Sequence, residues 1–211
     1  MNVLVTAGPT REYIDDVRFI TNASSGRMGY AVAGAAVDVG HQVTLLSGPV
    51  CLDAPGGCDL VTFVTVAELK TALEGRFDAC DVLIMTAAVG DFRPKRTWST
   101  KLSRRAGPVD VRLVPTEDIV ASIASRKRAG QRVVTFAVED GPEEAIVDKA
   151  RAEMAEKNAD YVVVNTPAAM GSDCSRACIL TPEGTALGWS VRSKTELAGI
   201  LMGLLGPQRK R

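Results

Sequence analysis

The chain has few of the residues that bind zinc or that catalyse through imidazole. Its 211 residues include one histidine, His41, and five cysteines, and none of the cysteines forms a CxxC pair. Structural zinc sites need four such ligands at characteristic spacings, so we expect no metal site built from protein side chains alone. We interpret the cysteines as inert, small hydrophobic residues and His41 as a solvated turn residue. The composition therefore argues against zinc enzymes and against acid–base catalysis by histidine.

The chain also lacks an excess of either charge and any apolar run of membrane-spanning length. Lys and Arg total 25, and so do Asp and Glu, so no overall field attracts the protein to nucleic acid or to an anionic membrane. No apolar run approaches the roughly 20 residues that a membrane helix needs, and the initial MNVLVT reads as a strand instead of a signal peptide. We therefore expect a cytoplasmic protein that binds neither nucleic acid nor membrane.

Apolar runs alternate with helical stretches along most of the chain. The runs are continuous and β-branched, as strands buried on both faces must be. They cover residues 2–6, 42–47, 80–88, 132–138 and 159–165, with a shorter run at 59–64. Helices are predicted at 28–39, 66–73, 116–125 and 143–157. This alternation predicts one α/β domain over residues 1–211, a Rossmann-like three-layer sandwich with a mainly parallel sheet.

The C-terminal part departs from this alternation. Two β-rich runs, 176–181 and 186–191, are joined by the turn residues PEG and predict a hairpin. A helix from Lys194 to Leu205 follows, so the hairpin and helix together occupy about 176–205. We assign no function to the basic tail QRKR.

Two long segments, 7–26 and 90–109, fit no regular element. Each follows the C-terminal end of a buried strand, which is where open α/β sheets bind their ligands. Loops of this length in a compact domain are usually functional or disordered. We therefore search these two segments first for a site.

The first loop ends in SSGRMG, which runs directly into a predicted helix. Gly26 and Gly29 permit close approach of a ligand, and the free N–H groups at a helix N-terminus attract phosphate. The hexapeptide alone leaves two interpretations open. It forms a phosphate cradle, or Ser24 or Ser25 merely caps the helix while Gly29 packs against the sheet.

The second loop begins with small residues, Ala87, Ala88 and Gly90, which would let a planar base approach the backbone. Asp91 could accept a hydrogen bond from a sugar hydroxyl or a base amine. Six lysines and arginines follow, so segment 90–109 is a candidate mobile flap that closes over phosphates. The alternative is an ordinary solvated surface.

Three familiar nucleotide signatures are absent. No GxGxxG follows the first strand, no Walker A sequence occurs, and no lysine stands four residues after Tyr13, Tyr30 or Tyr161. These absences weaken an NAD(P)-linked reductase on a Rossmann-type sheet, which we keep as an alternative.

Five stretches together resemble phosphopantothenoylcysteine synthetase of the bacterial type, the ligase domain of the bifunctional flavoprotein of coenzyme A biosynthesis. They are TAGPTRE, VRFITNASSGRMGYA, VTLLSGPV, MTAAVGDFRPK and VVTFAVED, in this order and spacing. The resemblance implies that CTP activates 4′-phosphopantothenate as an acyl-cytidylate, which L-cysteine then attacks to form an amide. It also implies Mg²⁺ on the triphosphate and a homodimer whose flaps cover the partner's site.

The resemblance also assigns roles to individual residues. Asn22, with Arg18 four residues earlier, would handle the acyl-cytidylate, and Lys101, ten residues after Asp91, would neutralise charge on the α-phosphate. Phe136 matches an aromatic residue that contacts the cytosine. The nucleotide-binding residues predicted in this way are Gly8, Ser24, Ser25, Gly26, Met28, Gly29, Ala87, Ala88, Asp91 and Phe136.

The sequence departs from the family pattern at three places. It has KLSR where KIKK is usual, TFAVED in place of GFAAET, and NTP in place of NDV. These changes motivate a second alternative, a nucleotide-sensing homologue without turnover. Bacterial relatives often carry the ligase behind a flavin-dependent decarboxylase, whereas this chain starts at the ligase's first strand. We therefore expect no flavin and ligation alone.

Overall fold

The computed structural model describes residues 1–206, apart from the side chain of Ala106, so the basic tail lies outside the described residues. The strands are β1 (Asn2–Ala7), β2 (Arg11–Tyr13), β3 (Phe19–Thr21), β4 (Gln42–Ser47), β5 (Cys58–Thr62), β6 (Val82–Met85), β7 (Phe92–Pro94), β8 (Leu113–Pro115), β9 (Arg132–Val138), β10 (Tyr161–Asn165), β11 (Cys174–Thr181) and β12 (Gly184–Ser193). The helices are α1 (Arg27–Asp38), α2 (Val66–Glu74), α3 (Ile119–Ala124), α4 (Glu143–Glu156) and α5 (Lys194–Leu205).

Eight strands form one sheet in the order β12-β11-β10-β9-β6-β1-β4-β5. The six strands from β10 to β5 in this order are parallel, and β11 and β12 add an antiparallel hairpin at one edge. The prediction of a mainly parallel sheet with a C-terminal hairpin is confirmed. Parallel neighbours place their carboxyl ends at the same edge of the sheet, which is the edge where the two long loops begin.

Helices cover both faces of the sheet and enclose two hydrophobic cores. On one face, α1 and α5 pack together and cover β1 and β4, with Val32, Ala36 and Leu201 fully buried. On the other face, α2, α3 and α4 bury residues such as Leu69 and Ile123. Burial of each large aliphatic side chain contributes about 1.5–3 kcal/mol relative to exposure. The three-layer sandwich is therefore confirmed.

Some predicted boundaries move inward in the structure. The predicted helix 116–125 begins only at Ile119, because the Asp118 carboxylate accepts a hydrogen bond from the Ala121 N–H and caps the helix there. The predicted strand 80–88 pairs continuously only over Val82–Met85, with one isolated bridge between Ala88 and Pro9, so the residues after Met85 leave the strand and line a site.

Both long loops contain short strands that the sequence pattern did not reveal. In the first loop, β2 pairs with β3 in a small antiparallel hairpin. In the second, β7 pairs with β8 and closes the base of the flap. Three-residue strands are too short to produce a recognisable alternation of apolar and polar residues. The expectation that 7–26 and 90–109 contain no regular element was therefore wrong.

None of the helices in residues 1–206 is long and apolar enough to cross a membrane. The five cysteines are free thiols, and burial raises the pKa of Cys178 to about 11. Within the same residues, no three His, Cys, Asp or Glu side chains come together as a candidate metal site.

Candidate functional site

A cleft lies at the carboxyl ends of β6, β9 and β10, beside the N-terminus of α1. We call it the strand-end cleft. It has a narrow compartment of about 150 Å³ next to α1 and a wide compartment of about 730 Å³ next to α3 and α4. The residues shared by the two compartments are Ala87, Ala88, Phe136, Val138 and Met170. The two compartments therefore form one continuous site.

The N-terminus of α1 opens into the narrow compartment without a side-chain cap. Gly26 is the N-cap residue, with φ of 75°, and no acidic residue stands in the first turn. The Ser24 hydroxyl accepts from the Gly26 N–H at 3.4 Å, but Ser24 stands two positions before the N-cap and does not reach the N–H groups of the first helical turn. Because the first N–H groups of a helix have no intrahelical partner, those of Arg27, Met28 and Gly29 are available to an anion. The interpretation that a serine caps this helix is therefore wrong.

Gly8, Gly26 and Gly29 were all predicted to bind the nucleotide, but they have different structural roles. A Cβ on Gly26 would lie 2.9 Å from Val50 Cγ1, and the residue's positive φ also favours glycine. Gly8, with φ of 76°, lies under Gly26 and lines neither compartment. A Cβ on Gly29 would lie 2.5 Å from the Ala7 Cβ. Gly29 therefore lets α1 pack close to β1, in agreement with the alternative in which Gly29 packs against the sheet. It also lines the narrow compartment.

Lys194 brings a buried cation to the narrow compartment. It is the first residue of α5, and its Nζ donates to the Ala169 carbonyl at 3.1 Å and to the Ser172 carbonyl. Burial and the nearby Arg27 guanidinium lower the pKa of Lys194, and its ammonium group makes no ion pair within the described residues. A buried charge without a counter-ion is costly. The nearby Asp173 carboxylate offsets only part of this effect, and an anion bound at the start of α1 would add a counter-charge.

Asn165 adds a buried amide to the same wall. It ends β10 and is 9% exposed, and its Oδ1 has no hydrogen-bond partner. Buried polar side-chain atoms nearly always have a partner. Because Asn165 lines the narrow compartment, its free oxygen points to a hydrogen-bonding ligand there.

The wide compartment is bordered by charges of both signs. Asp91 and Glu139 line it, together with Lys149 of α4 and Lys157, which directly follows that helix. The Lys149 ammonium lies 2.8 Å from a Glu139 carboxylate oxygen. Phe136 lines both compartments, so the wide compartment combines an aromatic residue with charged groups that can bind hydroxyls and phosphates.

Asn22 connects the first long loop to the second. Its Nδ2 donates to the Ala88 carbonyl at 3.3 Å and to the Val89 carbonyl at 3.0 Å. The adjacent backbone is paired as well, since the Thr10 N–H donates to Ala88 and the Ala88 N–H donates to Gly8. Asn22 thus lies at the wall of the wide compartment, among the small residues that the sequence predicted for the nucleotide.

Lys101 and Arg18 lie elsewhere. They line a separate depression of about 640 Å³, which we call the flap depression, with Leu102, Ser103, Arg104 and Arg105. Neither side chain lines either compartment of the strand-end cleft. The structure therefore brings Asn22, Asp91 and Phe136 together and places the two predicted cationic residues in a second region of the same chain.

A buried carboxylate lies beneath the flap depression. Asp15 is fully buried, and hydrogen bonds from the backbone N–H groups of Leu102, Val17 and Arg18, aided by the Arg18 guanidinium, hold its pKa well below the usual range. The Arg18 guanidinium also forms an ion pair with this carboxylate at 2.5 Å. The sequence analysis did not single out Asp15, because an aspartate in the run DD of a polar loop looks like a solvated residue.

Other residues of the cleft were also missed. Asn165 ends a predicted strand at the ligand edge of the sheet, and this position was a usable signal. Lys194, Lys149 and Lys157 carried no such signal, because each reads as an exposed helix residue and reaches the cleft only through the packing of α4 and α5.

A family model described as "DNA/pantothenate metabolism flavoprotein C-terminal domain" matches residues 1–206. The coenzyme A biosynthesis bifunctional protein CoaBC of Bacillus subtilis is 39% identical over 202 residues, covering 93% of this chain and 49% of that protein. The chain thus spans about half the length of the curated relatives it matches.

Two solved structures resemble this chain over 97% of its length. The C-terminal domain of a coenzyme A biosynthesis bifunctional protein CoaBC superposes with a TM-score of 0.78 at 32% identity, covering 97% of this chain and 93% of that one. A Cab2 mutant in complex with phosphopantothenate-cysteine has a TM-score of 0.78 at 17% identity, covering 97% and 84%. The second likeness concerns the fold alone.

Proposed function

The chain belongs to the family of DNA/pantothenate metabolism flavoprotein C-terminal domains, and we propose that it joins 4′-phosphopantothenate to L-cysteine, as a ligase of coenzyme A biosynthesis. The observation that carries the proposal is the strand-end cleft, in which an uncapped helix N-terminus and a buried Lys194 face the small residues beside Asn22. The CoaBC relatives are named for this pathway, and the related Cab2 structure holds phosphopantothenate-cysteine.

The proposed reaction has two steps. The carboxylate of 4′-phosphopantothenate attacks the α-phosphate of a nucleoside triphosphate, which forms an acyl-nucleotide and releases pyrophosphate. The cysteine amine then attacks the acyl carbon and expels the nucleoside monophosphate, leaving the amide. Activation is needed because a free carboxylate offers an amine no good leaving group. The protein accelerates both steps by holding the reactants in position and by stabilising the charge that develops on phosphate.

We place the nucleoside in the wide compartment and its phosphates towards the narrow one. Phe136 would contact the base, and Asp91 would accept from a ribose hydroxyl or a base amine. The phosphates would meet the N–H groups of α1, the Lys194 ammonium and the Asn165 amide. Mg²⁺ would neutralise part of the triphosphate charge, bound mainly by phosphate oxygens with few protein carboxylates. CTP is the proposed donor.

The separation of Lys101 from the cleft supports a homodimer in which each flap covers the partner's site. Lys101 and Arg18 project from the flap depression and line neither compartment of their own chain. Delivered by a second copy, Lys101 would meet the α-phosphate while Asn22 orients the acyl-nucleotide. A cytoplasmic location and the lack of nucleic-acid or membrane partners stay predictions.

The proposal is tested by incubating the protein with 4′-phosphopantothenate, L-cysteine, Mg²⁺ and CTP or ATP, followed by mass spectrometry. We expect pyrophosphate, nucleoside monophosphate and phosphopantothenoylcysteine in equal amounts. Without cysteine, the acyl-nucleotide should accumulate. Nucleotide binding without pyrophosphate release would overturn the ligase and select the nucleotide-sensing homologue, and hydride exchange with NAD(P)H would select the reductase.

A further inference from the structure

Asp15 accepts four hydrogen bonds, three within the first loop and one from the flap. Its Oδ1 accepts from the N–H groups of Val17 at 2.9 Å and Arg18 at 2.7 Å. Its Oδ2 accepts from the Arg18 Nη1 at 2.5 Å and from the Leu102 N–H at 3.0 Å. One oxygen therefore fixes the turn between β2 and β3, and the other holds a flap residue that is 87 positions away.

Both backbone groups of Leu102, its N–H and its carbonyl, are hydrogen-bonded to the first loop. While Asp15 accepts from the Leu102 N–H, the Arg18 Nη1 donates to the Leu102 carbonyl at 3.1 Å. Closer to its base, the flap is joined to the hairpin by the Trp98 N–H, which donates to the Ile14 carbonyl at 2.9 Å. Among the hydrogen bonds described for residues 99–105, those that reach outside the flap are made at Leu102. The tip of the flap is thus fixed at the residue next to Lys101.

We propose that Asp15 is a positioning residue for Lys101, acting through Leu102 and Arg18. The inference rests on the proposed ligase function, in which Lys101 stabilises the α-phosphate. Lys101 is exposed and makes no side-chain hydrogen bond in the described residues, so its position depends on the backbone beside it. By holding Leu102, the buried carboxylate limits where the flap can carry that ammonium group. By pairing with Arg18, it keeps the second cation of the flap depression beside the first.

A neutral amide cannot replace this carboxylate. An asparagine has one acceptor oxygen and one NH₂ donor, whereas both oxygens of Asp15 face N–H donors. In either orientation the NH₂ group would face two donors, either Val17 and Arg18 in the turn or Leu102 and the guanidinium across the contact. Asp15→Asn should therefore release the flap or loosen the turn that presents Arg18. The neighbouring Asp16 is exposed, so Asp16→Asn is the matched control.

The test measures the flap and the reaction separately. Hydrogen exchange over residues 99–105 in the ligand-free protein should be faster in Asp15→Asn than in the unmodified protein and Asp16→Asn. Pyrophosphate release should slow by about 10²-fold in Asp15→Asn, the scale of a misplaced catalytic group, mostly in kcat. In a Lys101→Gln background the same substitution should slow release only within about threefold, because the group that it positions is gone.

A structural role alone would predict equal slowing in both backgrounds, and this result would overturn the proposal, as would unchanged exchange at Leu102. If Asp15→Asn does not fold, Leu102→Pro removes the flap N–H and leaves the carboxylate in its hairpin, and it should reproduce the kinetic pattern. A Leu102→Pro protein with normal kcat would refute the positioning role. An unmodified protein that releases no pyrophosphate would refute the ligase function instead, while exchange at Leu102 would still decide whether the contact holds the flap.

Discussion

The strand-end cleft and the flap depression differ in how the fold positions their charges. The cleft is lined by residues that end β6, β9 and β10 and begin α1 and α5, so its polar groups follow from sheet pairing and helix packing. The flap depression is lined by exposed cations on loops, and its order depends on the buried Asp15. A fixed cleft suits binding, whereas a loop held at one residue suits a group that approaches only when the ligand is in place.

The comparison predicts that binding and chemistry can be separated by mutation. Changes in the cleft should weaken nucleotide affinity first, because they remove contacts made by the bound ground state. Changes in the flap depression should slow the chemical step with little effect on affinity, because they remove contacts made in the transition state.

The largest effect is expected for Lys101→Gln. Pyrophosphate release should fall by roughly 10²-fold or more, the scale of losing one positioned electrostatic donor, while nucleotide affinity changes little. Rapid-quench measurement of pyrophosphate and equilibrium titration of CTP would separate the two quantities. Lys95→Gln, which removes a charge from the flap but not from the flap depression, is the control and should leave release near normal. A large loss of affinity in Lys101→Gln would remove the distinction between the two regions.

Asn22→Asp should produce a different defect. A carboxylate cannot donate to the Ala88 and Val89 carbonyls, so the wall that faces the acyl group would lose both hydrogen bonds and gain a negative charge. We expect amide formation to fall by about 10-fold to 10²-fold, and by more than pyrophosphate release. Single-turnover mixtures with and without cysteine would measure the two steps. Equal slowing of both steps would contradict the assignment of Asn22 to the intermediate.

Gly26→Val should weaken nucleotide binding by about 10-fold, since a bulky residue at the start of α1 disturbs the N–H groups offered to phosphate. The new Cβ would press on Val50, and the positive φ is unfavourable for valine. Gly130→Val is the matched control, because Gly130 also has a positive φ of 81° and open space around it. Both variants should lose some stability, and only Gly26→Val should lose affinity. Unchanged affinity in Gly26→Val would mean that the α1 N-terminus binds no phosphate.

The sequence predicted the cleft better than the flap depression for a physical reason. Apolar runs fix strand positions, and the carboxyl ends of parallel strands converge, so Ala88 and Asp91 were expected at one edge of the sheet. Phe136 was identified through the family resemblance, and the structure places all three residues around the wide compartment. Lys194 could not be predicted, because only the packing of α5 against α1 brings it there. Burial of a single carboxylate in a polar loop has no periodic signal, so Asp15 was missed.

The same reasoning accounts for the placement of Lys101. Its spacing from Asp91 identified the residue through the family resemblance, but spacing along a flap does not determine where the flap lies. The direction of the flap is fixed by the contact between Asp15 and Leu102, which joins positions far apart in the sequence. Positions set by strand pairing can therefore be predicted from sequence patterns, whereas positions set by one long-range polar contact cannot.

The smallest expected effect is a pH dependence that only the cleft should show. Folding lowers the pKa of Lys194, chiefly through burial, so the unfolded chain holds this proton more tightly and the buried ammonium group opposes folding at neutral pH. Stability should therefore rise as pH increases through the lowered pKa towards the ordinary lysine value of about 10.4.

A phosphate bound beside Lys194 has the opposite effect on its pKa, because the phosphate stabilises the ammonium form. Nucleotide affinity should then fall as the pH rises towards the ordinary lysine pKa, and this fall should begin at a lower pH than titration of an ordinary lysine would allow. Lys194→Met should bind more weakly at pH 7 and lose this dependence, while Lys101→Gln should retain it. Calorimetric titrations of CTP in buffers of different ionisation enthalpy would measure both affinity and proton uptake. The same pH profile in Lys194→Met and the unmodified protein would show that Lys194 does not contact the phosphates, and the narrow compartment would lose its assigned ligand.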